Sequence, residues 1–81
     1  MRIIGSIPHP VLKITVFQLN MKFAVKFEAG MMEQTYKIRE SDSINKLSDI
    51  DMLVDDQFKD QVLEQFKEMA KILGDAYQRL N

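Results

Sequence analysis

Catalysis and metal binding need reactive groups in clusters, and this chain offers them singly. His9 is the only histidine and there is no cysteine. Thiolate metal sites and cysteine nucleophiles are therefore excluded. A zinc site built on carboxylates with one histidine departs from the usual nitrogen and sulfur donor sets. His9 stands between Pro8 and Pro10, a stiff corner with no serine or second histidine placed to form a relay. Asp49, Asp51, Asp55, Asp56 and Asp60 form an acidic run. A calcium loop counted from Asp49 needs an oxygen ligand at its fifth position and glycine at its sixth. Leu53 and Val54 stand there instead. Aspartates in such a run serve as helix caps. Glu64 and Glu68 lie one helical turn apart, among Lys67 and Lys71 on a wet face. The three glycines are scattered, so no phosphate-cradling loop exists. The chain reads as a non-enzyme with no catalytic residues, cofactor or metal.

The elements that carry these residues divide the chain in two. Residues 1–40 read as strands and residues 41–81 as helix, a single α+β domain. Arg2 to Ile7 is a candidate edge strand that ends at the Pro-His-Pro corner. Val11 to Leu19, Lys22 to Glu28 and Met31 to Arg39 read as three further strands. Asn20-Met21 and Ala29-Gly30 read as two-residue turns. These turns set Leu19 opposite Lys22 and Lys13 opposite Glu28. They also set Lys26 opposite Glu33, and Lys22 opposite Lys37. The inner face becomes Leu12, Ile14, Val16, Phe23, Val25, Phe27, Met32, Tyr36 and Ile38.

Ser41-Asp42-Ser43 predicts the cap of a short helix through Ile44 and Leu47, and Ser48 to Asp51 matches a weak capping box. A long helix is predicted from about Asp55-Asp56 to Leu80. From Val62 its apolar positions Phe66, Met69, Leu73, Ala76 and Leu80 follow at spacings of 4, 3, 4, 3 and 4. Leu63, Ala70 and Tyr77 widen the stripe on one side and Ile72 lies on the other. A stripe so broad predicts a helix packed on a sheet, not a narrow two-stranded seam. The expected fold is an antiparallel meander of three to four strands, covered on one face by that helix, with a short helix leading in.

The outer sheet face then has no cover. Val11, Phe17, Leu19 and Met31 make it a candidate surface for a protein partner or for a homo-oligomer, with an open edge strand as a second route. Lys22, Lys37 and Arg39 gather beside Phe17 as a candidate anion corner, the alternative being a single-stranded nucleic-acid platform. A net charge of −1 and a pI near 5.7 argue against nucleic acid. A further alternative is an accessory subunit of an enzyme complex. No apolar run is long enough to span a membrane, and Pro8 interrupts any signal-peptide core, so a cytoplasmic location is expected.

The segments Pro8 to Phe17 and Lys26 to Tyr36 together resemble a family of short bacterial proteins of unknown function. The resemblance implies a compact, stand-alone bacterial domain and carries no activity with it.

Overall fold

A computed structural model describes residues 1–80 of the chain. Strands β1 (Arg2–Ile7), β2 (Lys13–Leu19), β3 (Lys22–Ala29) and β4 (Met32–Arg39) precede helices α1 (Leu47–Leu53) and α2 (Asp56–Leu80). The strands form one antiparallel meander in the order β1-β2-β3-β4. The α+β class, the short helix before a long one, and a sheet at the upper end of the expected three to four strands agree with the sequence, but the short helix lies later in the chain than Ile44 to Leu47.

Both turns are set by a residue with positive φ in first position. Asn20 has φ 53° and Gly30 has φ 61°. Two-residue hairpins favour this geometry because its twist matches that of the strands. At Asn20-Met21 the expected register holds: Leu19 faces Lys22 and Lys13 faces Glu28. At the second hairpin the turn is Gly30-Met31, not Ala29-Gly30, so the register moves by two residues. Glu28 faces Glu33, Lys26 faces Thr35 and Lys22 faces Arg39. The sequence reading put Gly30 second in its turn, whereas its positive φ belongs in the first position. A slip of two leaves every side chain on its face, so the predicted inner face survives the error.

Ile14, Val16, Phe23, Val25 and Phe27 on that face are all buried, together with Ile50 and Val54 from the helical half and Val62 and Phe66 of α2. The α1 helix lies on the β1 side. It packs closely over Gly5, just past a bulge at Ile4: a Cβ there would sit 2.5 Å from Leu47 Cδ2, and the Leu47 side chain would have to shift. The predicted cap at Ser41 closes a turn instead of a helix. Its Oγ accepts the Ile44 N–H at 3.2 Å, and its own N–H donates to the Ile44 carbonyl at 2.8 Å. The first helix begins later, at Leu47, with no side-chain cap, so Ser48 is inside it and forms no capping box. Asp55 does cap α2, its Oδ1 accepting the Phe58 N–H at 2.9 Å.

Phe58 fixes α2 to the sheet. Its ring stacks on Phe27 at 5.6 Å and meets Tyr36 edge-on at 5.2 Å, while Phe27 meets Tyr36 edge-on at 5.7 Å. Phe27 thus packs with Phe58, in the same core cluster that Phe66 joins and Met69 packs against. One turn later Gln34 Nε2 donates to the Val62 carbonyl at 3.0 Å. These two contacts give the helix direction. Four helical residues advance about 6 Å while β4 steps back two residues, about 7 Å. Continuing the step puts Phe66 beside Met32, where β4 begins. Met69, partly buried, is the last of the large stripe residues that packs against the core.

The predicted cover of α2 by the sheet is therefore half correct. Exposure climbs along the stripe from 2% at Val62 and 5% at Phe66 to 50% at Leu73, 60% at Tyr77 and 82% at Leu80. The helix passes Gly74 without a break. The molecule is correspondingly long, 51 × 24 × 17 Å. Its radius of gyration is 14.7 Å, against about 12 Å for a compact chain of this length.

Phe27→Ala removes the centre of the aromatic trio and leaves a cavity under α2. It is expected to cost about 3–5 kcal/mol, most of the stability of a small domain. A urea midpoint close to wild type would contradict this placement of the core.

Candidate functional site

The register sorts the candidate residues into separate places. Phe17 and Leu19 lie near the β2–β3 turn, and Phe17 faces Ala24 on β3 with Ile3 of β1 on its other side. Val11 lies before β2, and Met31 is in the β3–β4 turn at the opposite end. Six strand residues, about 20 Å, separate Phe17 from Val11. The outer face between them is polar, with Thr15, Lys26 and Thr35 in one row across the sheet. The four residues expected to form one surface fall into two pairs, one at each end. The pairing of Phe17 with Ala24 is as the first turn predicts.

The basic corner comes together at the Phe17 end. Lys22 faces Arg39 directly and Lys37 faces Ala24. A pocket of about 90 Å³ opens there, floored by Phe17, Leu19 and Ala24 and flanked by Lys22 and Lys37. The same hairpin carries a second like-charge pair, Glu28 opposite Glu33. Like charges directly opposed on a sheet destabilise it. At the acidic pair Lys26 intervenes, its Nζ 3.9 Å from Glu28 and 3.4 Å from Glu33. The predicted Lys26–Glu33 attraction is thus present on the diagonal, though the two are not opposite each other. Among the described residues no carboxylate pairs with Lys22, Lys37 or Arg39.

His9 has a structural task. Its Nδ1 accepts the N–H of Val11 at 3.1 Å and of Leu12 at 3.0 Å. That arrangement needs the neutral ring with its proton on Nε2. It closes the Pro-His-Pro corner and delivers buried Leu12 to the core. Glu64 pairs with Lys67 at 3.2 Å on the exposed side of α2. Among the described residues no group of three or more His, Cys, Asp or Glu is placed to hold a metal ion. Among the same residues no helix is long and apolar enough to cross a membrane.

The feature that sequence reasoning missed is the far half of α2. Ile72, Leu73, Tyr77 and Leu80 are exposed along one helical stripe that nothing among the described residues covers. The spacing that identifies the stripe was visible. Its lack of cover follows only from where the sheet ends.

Comparison with family models, curated proteins and solved structures finds no match for this chain. The likeness to short bacterial proteins rests on the quoted residues alone.

The charge pattern of the outer face makes a prediction. Lys26→Met leaves Glu28 and Glu33 opposed without a cation and is expected to destabilise the fold by about 0.5 kcal/mol, the three groups being partly exposed to solvent. Lys22→Glu, which sets opposite charges across from each other, is expected to stabilise it by a few tenths of a kcal/mol. Denaturant midpoints at low and high salt check both, and both effects shrink as salt rises.

Proposed function

We propose that this chain is a non-enzymatic interaction module whose binding element is the exposed half of α2. The observation that carries the reading is the exposed apolar stripe of Ile72, Leu73, Tyr77 and Leu80, beyond the last residue of α2 that packs on the core, Met69. A helix of three turns is marginal in water by itself, and an apolar stripe of this size marks a contact surface. The chemistry that fits it is a second amphipathic helix, because a helical ridge packs into the groove between the side chains of another. The scattered reactive groups, with His9 occupied in the loop, support a role without catalysis.

A photo-crosslinking amino acid placed at Tyr77 in the native host tests this. The same group at Thr35, in the polar middle of the outer sheet face, is the control. Discrete adducts at Tyr77 and none at Thr35 are expected. Tyr77 yielding no adduct, or the two positions behaving alike, overturns the reading.

The unneutralised Lys22–Arg39 pair favours a second reading, an anion site at the Phe17 corner that takes single-stranded nucleic acid. A phosphate would fill the place that Lys26 fills between the acidic pair, and a base would stack on Phe17. Fluorescence anisotropy with a labelled oligonucleotide between 50 and 200 mM salt, conditions in which phosphate contacts weaken steeply, checks this. Binding that is absent at low salt, or unchanged by Lys22→Ala, removes it.

A further inference from the structure

We infer that the Phe17 corner of the sheet seats on an anionic phospholipid surface, its cations meeting the headgroups and its apolar side chains entering the boundary beneath them. The role proposed for α2 concerns the other end of the molecule and is independent of this one.

The strand registers place the corner in two rows on the outer face. Ile3, Phe17, Ala24 and Lys37 stand side by side across β1 to β4. Leu19, Lys22 and Arg39 form the next row, at the end of the sheet. Met1 lines the same pocket as Leu19, and Met21 lies in the hairpin turn beyond them. The patch thus has an apolar side on β1 and β2 and a cationic side on β3 and β4. Met1, Ile3, Leu19 and Met21 are exposed, and so are the three cations. Glu40 and Asp42 follow Arg39 in the chain. Among the described residues neither forms an ion pair with Lys22, Lys37 or Arg39. The next row inward is Ser6, Thr15, Lys26 and Thr35, polar throughout, so the apolar side chains are confined to the end.

This combination selects the occupant. An interfacial site sets exposed apolar side chains beside cations, the former taken up by the acyl boundary and the latter by anionic headgroups. A single-stranded nucleic acid uses the cations and the one ring of Phe17, because its bases stack on aromatic faces. It leaves Met1, Ile3, Leu19 and Met21, none of them aromatic, without a task. A soluble ligand with an acyl chain needs a cavity of about 300 Å³ or more, and the corner offers about 90 Å³. A lipid surface needs no cavity.

The rest of the molecule fits this orientation. The α2 helix passes Tyr36 at Phe58 and Gln34 at Val62, so it runs away from Lys37 and Arg39. Its exposed end therefore points away from the corner. The opposed Glu28 and Glu33 also lie at the far end of the β3–β4 hairpin. A surface that attracts the corner meets no acidic pair there and leaves the α2 stripe free.

The chain has no tryptophan, so Met21→Trp puts a single reporter at the tip. Its emission is expected to shift to the blue on phosphatidylcholine vesicles containing about one third phosphatidylglycerol, and to stay unchanged on phosphatidylcholine alone. Co-sedimentation with the same vesicles measures binding of the wild-type chain. Lys22→Ala with Lys37→Ala is expected to weaken it about 25-fold, roughly fivefold per cation. Leu19→Ser with Met21→Ser is expected to weaken it about tenfold. All four positions are exposed, and circular dichroism checks that each variant keeps the wild-type midpoint. Absence of binding to anionic vesicles at low salt, equal binding to neutral ones, or full binding by either double variant overturns the inference. So does loss of vesicle binding in Leu73→Glu with Leu80→Glu alone, which assigns the lipid to α2. An oligonucleotide that binds wild type and the Leu19→Ser, Met21→Ser chain equally, while vesicles bind neither, removes the lipid and leaves the nucleic-acid reading standing.

Discussion

The contact of Phe58 with Phe27 and Tyr36 decides the shape of this molecule. Aromatic edge and stacked contacts are directional as well as apolar, so the trio fixes where α2 touches the sheet. The Gln34 side chain then binds the Val62 carbonyl one turn later and fixes the direction. With position and direction set, the length of β4 determines how much of the helix is covered. Met69 still packs against the core, and the apolar residues from Ile72 onward lie past that limit. A core built elsewhere along the same stripe would have centred the helix and hidden its far end.

The sheet solves its own charge problem at one end and not at the other. Two like-charge pairs face each other across the β3–β4 hairpin. Lys26 joins the acidic pair from the neighbouring register positions. No carboxylate of the described residues does the same for Lys22 and Arg39. The contrast arises within eight residues of one strand, which makes the basic corner a local feature and not a consequence of net charge, which is −1. Its apolar floor of Phe17, Leu19 and Ala24 is too small and too far from Val11 and Met31 to act with them.

A small domain gains much from association. The inner sheet face and the helical residues packed on it supply the core here, and the exposed part of α2 adds apolar surface without adding folded contacts. Each large side chain of that stripe is worth roughly 1.5–3 kcal/mol when fully buried. Against the 5–15 kcal/mol that holds a typical domain together, such a contact couples binding to stability. The helical form of the overhang itself then depends on what lies against it.

By itself the sequence determined the division into sheet and helix, the four strands, the identity of the inner face and the stripe of α2. These are local or periodic properties: alternation in the strands, the 4,3 spacing in the helix, and Asn20 and Gly30 at the turns. Period-two patterning even absorbed a two-residue error in register, because face depends only on parity. The tertiary structure decided what periodicity cannot carry. It chose Gly30-Met31 over Ala29-Gly30, placed Ser41 in a turn, divided Phe17 and Leu19 from Val11 and Met31, and ended the cover of α2 at Met69. An apolar stripe records that a helix has a face to bury. Only the distance between the aromatic anchor and the end of β4 records how much of that face this chain can bury alone.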